Sequence, residues 1–240
     1  MTNPSPLPLV RDVTDNQLLA KLPPDELEQL RPHLELMPMK QYDVWIQPNE
    51  PIRWIHFPAG CLGSLVAVLE DGTTVESGTI GREGMAGVPV ILDAQTTPMQ
   101  TFVQVPGDCY RIRSETLKAV YDEGKSLHKL LNRYVHTLFI VASQSAACNR
   151  RHQVEARLAR WLLMSADGIG SDSIAITQEF LATMLGVRRP GVTEAAVKLQ
   201  DQELIQYTRG FVEITDRRGL EEAACECYGI VRREYEKLVS

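Results

Sequence analysis

No run of apolar residues in these 240 approaches the ~20 that a bilayer span requires. The opening stretch, Met1 to Pro8, is uncharged and proline-rich, not basic and then apolar as a signal peptide is. A cytoplasmic protein with no membrane partner is therefore expected. Cysteine is scarce: Cys61, Cys109, Cys148, Cys225 and Cys227 are odd in number and scattered, which speaks against a disulfide framework and fits a reducing interior. Catalytic signatures are missing too. A metal-dependent enzyme built on β-strands needs two or three histidines and a carboxylate clustered there, and the strand-rich region offers only His56. No Ser–His–Asp pattern and no phosphate-cradling Gly-x-x-x-x-Gly-Lys occurs. No enzyme is expected. An excess of basic charge is also lacking: 25 Lys and Arg against 31 Asp and Glu leave −6, which on its face argues against nucleic acid as a partner.

What is present is the texture of a folded chain, 44% hydrophobic and 23% charged, long enough for one large domain or two small ones. Two short helices are predicted between Asp15 and Leu30, the second starting at Pro23-Pro24 with Asp25 and Glu26 in its first turn. From about Leu34, β-branched and aromatic runs alternate with turn residues: Val44 to Gln47, Arg53 to Phe57, Leu62 to Leu69, Val75 to Ile80, Thr101 to Val105 and Asp108 to Ile112. Strands at this spacing predict an antiparallel sandwich or barrel, with Asp71-Gly72 as a hairpin turn. Ser114 is expected to cap a helix to about Asp122. Then Leu127, Leu131, Tyr134, Leu138, Val141, Ser145 and Cys148 recur every three or four residues, a seam that suits either packing on the strand domain or a two-fold dimer helix. A further helix is predicted from Gln153 to Met164, ended by the turn Asp167 to Ser171.

Residues 174 to 214 carry the function. After the strand Ile174-Ala175-Ile176, Thr177 is a good N-cap, Phe180, Leu181, Met184 and Leu185 form a buried face, and Gly186 stops the helix. A second helix follows at once, with Pro190 early and Val192, Ala196 and Leu199 buried. Two helices joined by a glycine turn form a helix-turn-helix, whose second helix meets bases and phosphates in the major groove. Leu204 to Tyr207 and Phe211 to Ile214 read as a hairpin with Arg209 at its tip, a wing for the phosphate backbone. The set expected at DNA is Thr177, Gln178, Arg188, Arg189, Val192, Thr193, Glu194, Lys198 and Arg209. The overall charge misleads here, since Asn149 to Arg218 has 10 basic against 9 acidic residues, while the chain up to Cys148 has 12 against 17.

The run Ile176-Thr177-Gln178-Glu179-Phe180-Leu181-Ala182-Thr183-Met184-Leu185-Gly186-Val187-Arg188-Arg189-Pro190-Gly191-Val192-Thr193, followed by Leu199 and Leu204-Ile205, resembles the DNA-binding domain of the Crp/Fnr superfamily of bacterial transcription regulators. The resemblance implies an α+β fold. An N-terminal antiparallel β jelly roll, cyclic-nucleotide-binding-like, would occupy 1–122, a long dimerisation helix 123–150, a winged helix-turn-helix 151–215 and a C-terminal helix 216–240. It further implies a homodimer on a roughly palindromic operator in double-stranded DNA, with Leu127, Leu131, Tyr134, Leu138, Val141 and Ser145 at the dimer seam, and RNA polymerase as a further partner.

The resemblance breaks at the effector. Cyclic AMP receptors hold the phosphate with an arginine and the ribose with a glutamate just after a glycine. Here no Arg or Lys lies between Arg82 and Arg111, and the glutamate position is Val88, so cyclic AMP is not expected. Arg82 and Glu83 are either an alternative effector site or a solvated turn. No cysteine precedes Cys61, so the clustered N-terminal ligands of the iron–sulfur branch are missing. Cys148 with His152 one turn later, or Cys225 with Cys227, offer soft ligands. On one continuous helix residues i and i+2 diverge, so neither metal nor cofactor is expected. A redox- or metal-responsive regulator using Cys148, Cys225 and Cys227, and a non-catalytic interaction module, stay open as alternatives. In the recognition helix Pro190, Gly191 and Glu194 depart from the cyclic AMP receptors, and Glu194 is a candidate acceptor for a cytosine amino group.

Overall fold

A computed structural model describes residues 12–208 and 210–240; the Met1 to Pro8 stretch and Arg209 lie outside the described residues. The chain opens with α1 (Gln17–Ala20) and α2 (Pro24–Leu30). Asn16 pins this segment to the strand domain. Its Oδ1 accepts from the backbone N–H groups of Leu18 and Leu19, and its buried Nδ2 donates to the carbonyls of Pro58 and Gly84. Strands β1 (Glu35–Met39), β2 (Val44–Ile46), β3 (Trp54–Pro58), β4 (Leu62–Val68) and β5 (Thr74–Ile80) come next, then a single turn α3 (Val88–Ile91), β6 (Met99–Val105) and β7 (Gly107–Arg113). They form two antiparallel sheets, ordered β2-β6-β4-β5 and β1-β7-β3. Between them Ile55, Phe57, Met85, Val103 and Ile112 are buried in one core. Strand β1 carries Pro38 and little alternation, and no strand is predicted there from sequence; its register against β7 is held partly by Glu35 opposite Arg111, an ion pair of 2.8 Å.

Helices α4 (Ser114–Asp122) and α5 (Ser126–Arg151) follow. Ser114 does not cap α4 but is its first residue, its hydroxyl donating to the carbonyl of Ile52 instead. The Asp71-Gly72 pair lies in a longer connection closed by Leu69 and Thr73, with only Gly72 at positive φ. The α5 seam turns inward. Leu127, Leu131, Tyr134, Val141 and Ser145 are buried and Leu138 is partly buried within their own chain, because the roll lies against that face and the C-terminal helix against its flank. Tyr134 donates to the carbonyl of Met85, and Gly84 is the residue that leaves room for its ring: an added Cβ would sit 2.4 Å from the hydroxyl.

The C-terminal half comprises α6 (Val154–Ile169), β8 (Ser173–Ala175), α7 (Gln178–Leu185), α8 (Arg189–Asp201), β9 (Ile205–Thr208), β10 (Phe211–Ile214), α9 (Arg217–Ala223) and α10 (Cys227–Val239). Helix α6 runs past the expected turn at Asp167 and ends at Gly170, which takes the left-handed conformation. Gly168 lies inside the helix at a close backbone approach to Gly81: an added Cβ on Gly168 would lie 2.7 Å from Leu62 Cδ1 and 3.3 Å from the Gly81 Cα. The expected continuous C-terminal helix is broken at Ala224, whose backbone is extended. Helix α10 then folds back along α5.

Candidate nucleic-acid interface

The helix-turn-helix is built by local rules. The Thr177 Oγ1 accepts from the Phe180 N–H at the start of α7, and Glu179 sits in the first turn where the dipole favours an acid. Gly186, at φ 61°, closes the helix by donating to Ala182 and Thr183. The buried Arg157 of α6 donates to the carbonyl of Leu185 and to Asn149 of α5, fixing the end of α7 against both helices. Phe180 packs on Phe102 and Tyr42 of the roll, with ring centroids 6.2 and 5.9 Å apart. One face of the unit is thus docked, and α8 remains displayed.

Helix α8 buries Val192, Ala195, Ala196 and Leu199. Val192 is 0% exposed, so it leaves the expected DNA-contacting set: it lies one turn after Arg188 on the inner side of the helix. Arg188, Arg189, Thr193, Glu194 and Lys198 are all exposed. The Thr193 hydroxyl lies 2.8 Å from Gln178 Oε1, buttoning the start of α7 to α8. Arg189 pairs loosely with Glu179 at 3.5 Å, both side chains more than half exposed, a contact worth at most about 1 kcal/mol and easily exchanged for a phosphate. Lys198 lies between Glu194 at 3.5 Å and Glu155 at 3.8 Å. Arg188 makes no ion pair among the described residues. No side chain caps the α8 N-terminus; Pro190 has no N–H and that of Gly191 is bonded to the Arg188 carbonyl, so the positive end of the helix is presented by the Arg189 N–H and the two arginine side chains. The wing strands β9 and β10 pair with each other and β10 also with β8, while Arg209 lies outside the described residues.

Arg82 and Glu83 are neither in the roll interior nor in a solvated turn. Arg82 donates twice across the seam to α6, from its N–H to the Gly168 carbonyl at 2.9 Å and from its Nε to that of Asp167 at 3.0 Å, while its own carbonyl accepts from the Gln17 N–H of α1. Glu83 accepts from the Gly81 N–H, while its Oε2 is shut off from water without a hydrogen-bond partner; burial pushes its carboxyl up to about 7. Both line a cleft of about 230 Å³ that α10 closes with Tyr228, Val231, Arg232 and Tyr235. Glu76, which accepts from Ser64 and from the Trp161 indole of α6, is likewise raised to about 7 by burial.

Cys148, His152, Cys225 and Cys227 converge, with all ligand atoms within 4.8 Å of one another. The sequence does not reveal this convergence because Leu220, Ala224 and Cys227 keep helical spacing across the break at Ala224, so nothing in the pattern marks the turn that lets both thiols of the C-x-C pair face one point. A hydrogen bond from Cys225, aided by His152 and Arg160, pulls the Cys148 thiol well below its usual range against the opposing effect of burial.

Residues 156–223 match the sequence profile of the Crp-like helix-turn-helix domain. That segment is a Crp-like helix-turn-helix domain. Most of the chain shares its fold with proteins of known structure. FixK2 from Bradyrhizobium japonicum aligns with a TM-score of 0.66 at 12% identity, covering 80% of this chain and 98% of that one. A Eubacterium rectale protein assigned to the Crp/Fnr family aligns at 0.65 and 17%, covering 88% and 98%. The c-di-GMP responsive regulator CLP of Xanthomonas campestris aligns at 0.62 and 14%, covering 79% and 98%. No curated protein matches the chain in sequence. The chain shares the order of parts of these folds, with the roll first, the long helix next and the Crp-like helix-turn-helix domain last. No helix among the described residues is long and apolar enough to cross a membrane.

Proposed function

We propose that the protein is a sequence-specific DNA-binding regulator that works as a homodimer, with α8 of each protomer in a major groove. The observation that carries this is the displayed start of α8, where Arg188 and Arg189 stand exposed beside an uncapped helix N-terminus, held in place by the Gln178–Thr193 contact. Glu194 and Lys198 lie further along the same exposed face. Arg188 has no ion pair among the described residues, and Arg189 has one exposed carboxylate neighbour at 3.5 Å where Lys198 has two, so the start of α8 carries the more available positive charge. Arg189→Ala lowers operator affinity by roughly 1–3 kcal/mol, about 5- to 150-fold, in a gel shift on a selected operator. Unchanged affinity removes Arg189 from the interface.

The second copy is expected on the outer face of α5. The inward seam is already covered, whereas Phe139 is 71% exposed, and the small exposed residues Ala142 and Ala146 follow three and seven positions on. Phe139→Glu yields a monomer in sedimentation; a dimer that survives the substitution assigns the interface elsewhere. Cyclic AMP is not the effector on this reading, since Arg82 is committed to α6 and no Arg or Lys lies between it and Arg111 to hold a cyclic phosphate. Calorimetry showing micromolar binding of cyclic AMP would overturn this. Contact with RNA polymerase is part of the same proposal, tested by transcription in vitro with and without the protein.

A further inference from the structure

We propose that Cys148, His152, Cys225 and Cys227 form a mononuclear site for a thiophilic divalent cation, zinc foremost, which clamps the C-terminal helix to the junction between the roll's long helix and the Crp-like domain. Two ligands come from the end of α5, where Cys148 lies in the last turn and His152, four residues on, is the C-cap whose N–H bonds back to the Cys148 carbonyl. The other two come from the α9–α10 turn. Cys225 follows the extended Ala224 and Cys227 is the first residue of α10, so the two thiols are not bound to a helical i, i+2 divergence.

The spacing fits one ion. Zn–S bonds of ~2.3 Å and Zn–N bonds of ~2.0–2.1 Å in a tetrahedron place ligand atoms roughly 3.6–3.8 Å apart. Cys148 Sγ lies 3.5 Å from Cys225 Sγ, and Cys227 Sγ lies 3.5 Å from His152 Nδ1. An iron–sulfur cluster distributes its cysteines over separate irons and needs a wider quartet. All three cysteines are buried, with Ala156 packed beside them.

The surroundings are those of a metal centre. His152 Nε2 lies 3.1 Å from a Glu226 carboxylate oxygen; donation there leaves the Nδ1 lone pair directed at the quartet, the carboxylate–histidine arrangement that orients a ligand imidazole. Gln144 Nε2 donates to Cys227 Sγ at 3.1 Å, as second partners of metal thiolates do. Three thiolates and a divalent cation leave one negative charge, and the buried side chains of Arg157 and Arg160 both act electrostatically on Cys148 from α6. On binding, the thiol protons leave to solvent and no oxidation occurs. The site joins α5, the junction at His152 and Gln153, and the start of α10, so occupancy fixes how the long helix passes into the Crp-like domain.

The test needs no DNA, so its outcome is independent of the regulator reading. The full chain is purified under reducing conditions without chelator, and metal is measured by plasma mass spectrometry. One zinc per chain is expected, with cobalt(II) replacing it to give thiolate-to-metal charge-transfer absorption. The double variant Cys225→Ser/Cys227→Ser loses at least about ten-fold of the metal, while Cys61→Ser/Cys109→Ser keeps it. To guard against misfolding of the serine variants, the wild-type chain is alkylated with and without a strong chelator: Cys148, Cys225 and Cys227 become reactive only when metal is withdrawn. Less than about a tenth of an equivalent of metal with no cobalt uptake, several irons per chain, or a Cys148–Cys225 disulfide in metal-free protein each overturn the proposal.

Discussion

Gly81→Ala is the sharpest probe of how the roll holds the Crp-like domain. The added Cβ would lie 2.3 Å from Gly168 Cα, 2.7 Å from the Gly168 carbonyl oxygen and 2.6 Å from Glu83 Oε2. Carbon atoms in contact sit ~3.5–4.0 Å apart, so α6 must retreat by more than about 1 Å, and two of the three obstacles are backbone that cannot rotate away. Overpacking of this kind costs about 1–3 kcal/mol. The retreat also stretches the Arg82–Gly168 and Arg82–Asp167 hydrogen bonds of 2.9 and 3.0 Å, which contribute about 0.5–1.5 kcal/mol each. With partial relaxation the expected loss is roughly 2–4 kcal/mol, and a chain of this size loses ~2–4 °C in Tm per kcal/mol. Scanning calorimetry is therefore expected to show a fall on the order of 5–15 °C, with the single transition splitting as the two halves uncouple. Gly191→Ala is the control: nothing lies within 4 Å of its added Cβ, and a helical glycine replaced by alanine gains about 0.5–1 kcal/mol. A Gly81→Ala chain melting within a degree or two of the wild type would refute the close packing of α6 on the roll.

Three further outcomes rest on the same contacts. Glu76 and Glu83 keep their protons up to about pH 7 in the folded chain but release them near 4.5 when unfolded, so their contribution is whole below about pH 4.5 and is lost as pH rises through 7. Glu76→Gln/Glu83→Gln accordingly flattens the fall in Tm between pH 5 and 8; a profile parallel to the wild type contradicts the burial argument. Thr177→Ala removes the cap of α7 at a cost of ~1 kcal/mol, read as a lower urea midpoint with an unchanged slope. Val192→Ala destabilises by about 2–3 kcal/mol because the side chain is fully buried, whereas Thr193→Ala leaves Tm nearly unchanged and weakens DNA binding; the reverse pattern would place Val192 at the DNA.

Most of the architecture is legible in the chain because its signals are local. Thr177 and Gly186 mark the ends of α7 by cap chemistry that needs no tertiary context, and the alternating runs give six of the seven roll strands. What escapes the sequence is set by contacts between distant segments. The α5 seam has the same spacing whether it faces a second copy or its own roll, and only the packed structure shows that Tyr134 reaches Met85. Gly168 reads as a turn until Gly81 is seen against it. Arg82 and Glu83 read as an alternative effector site or a solvated turn; the turn is not solvated, since Arg82 is bonded to α6 and both residues line the cleft beside α10. The thiol cluster depends on a helix break that leaves the apolar period undisturbed.

The salt dependence of binding to a selected DNA site, compared between the wild type and Arg188→Ala/Arg189→Ala, tests the central claim most directly. Each phosphate neutralised contributes ~0.9 to the slope of log K against log salt, so removing two arginines from each half of a dimer lowers its magnitude by up to ~3.6. The account predicts a steep wild-type slope with binding that survives competitor DNA, and a double variant with a shallower slope and affinity lower by at least about ten-fold. Equal slopes and equal affinities in the two proteins would contradict the assignment of α8 as the DNA-reading helix.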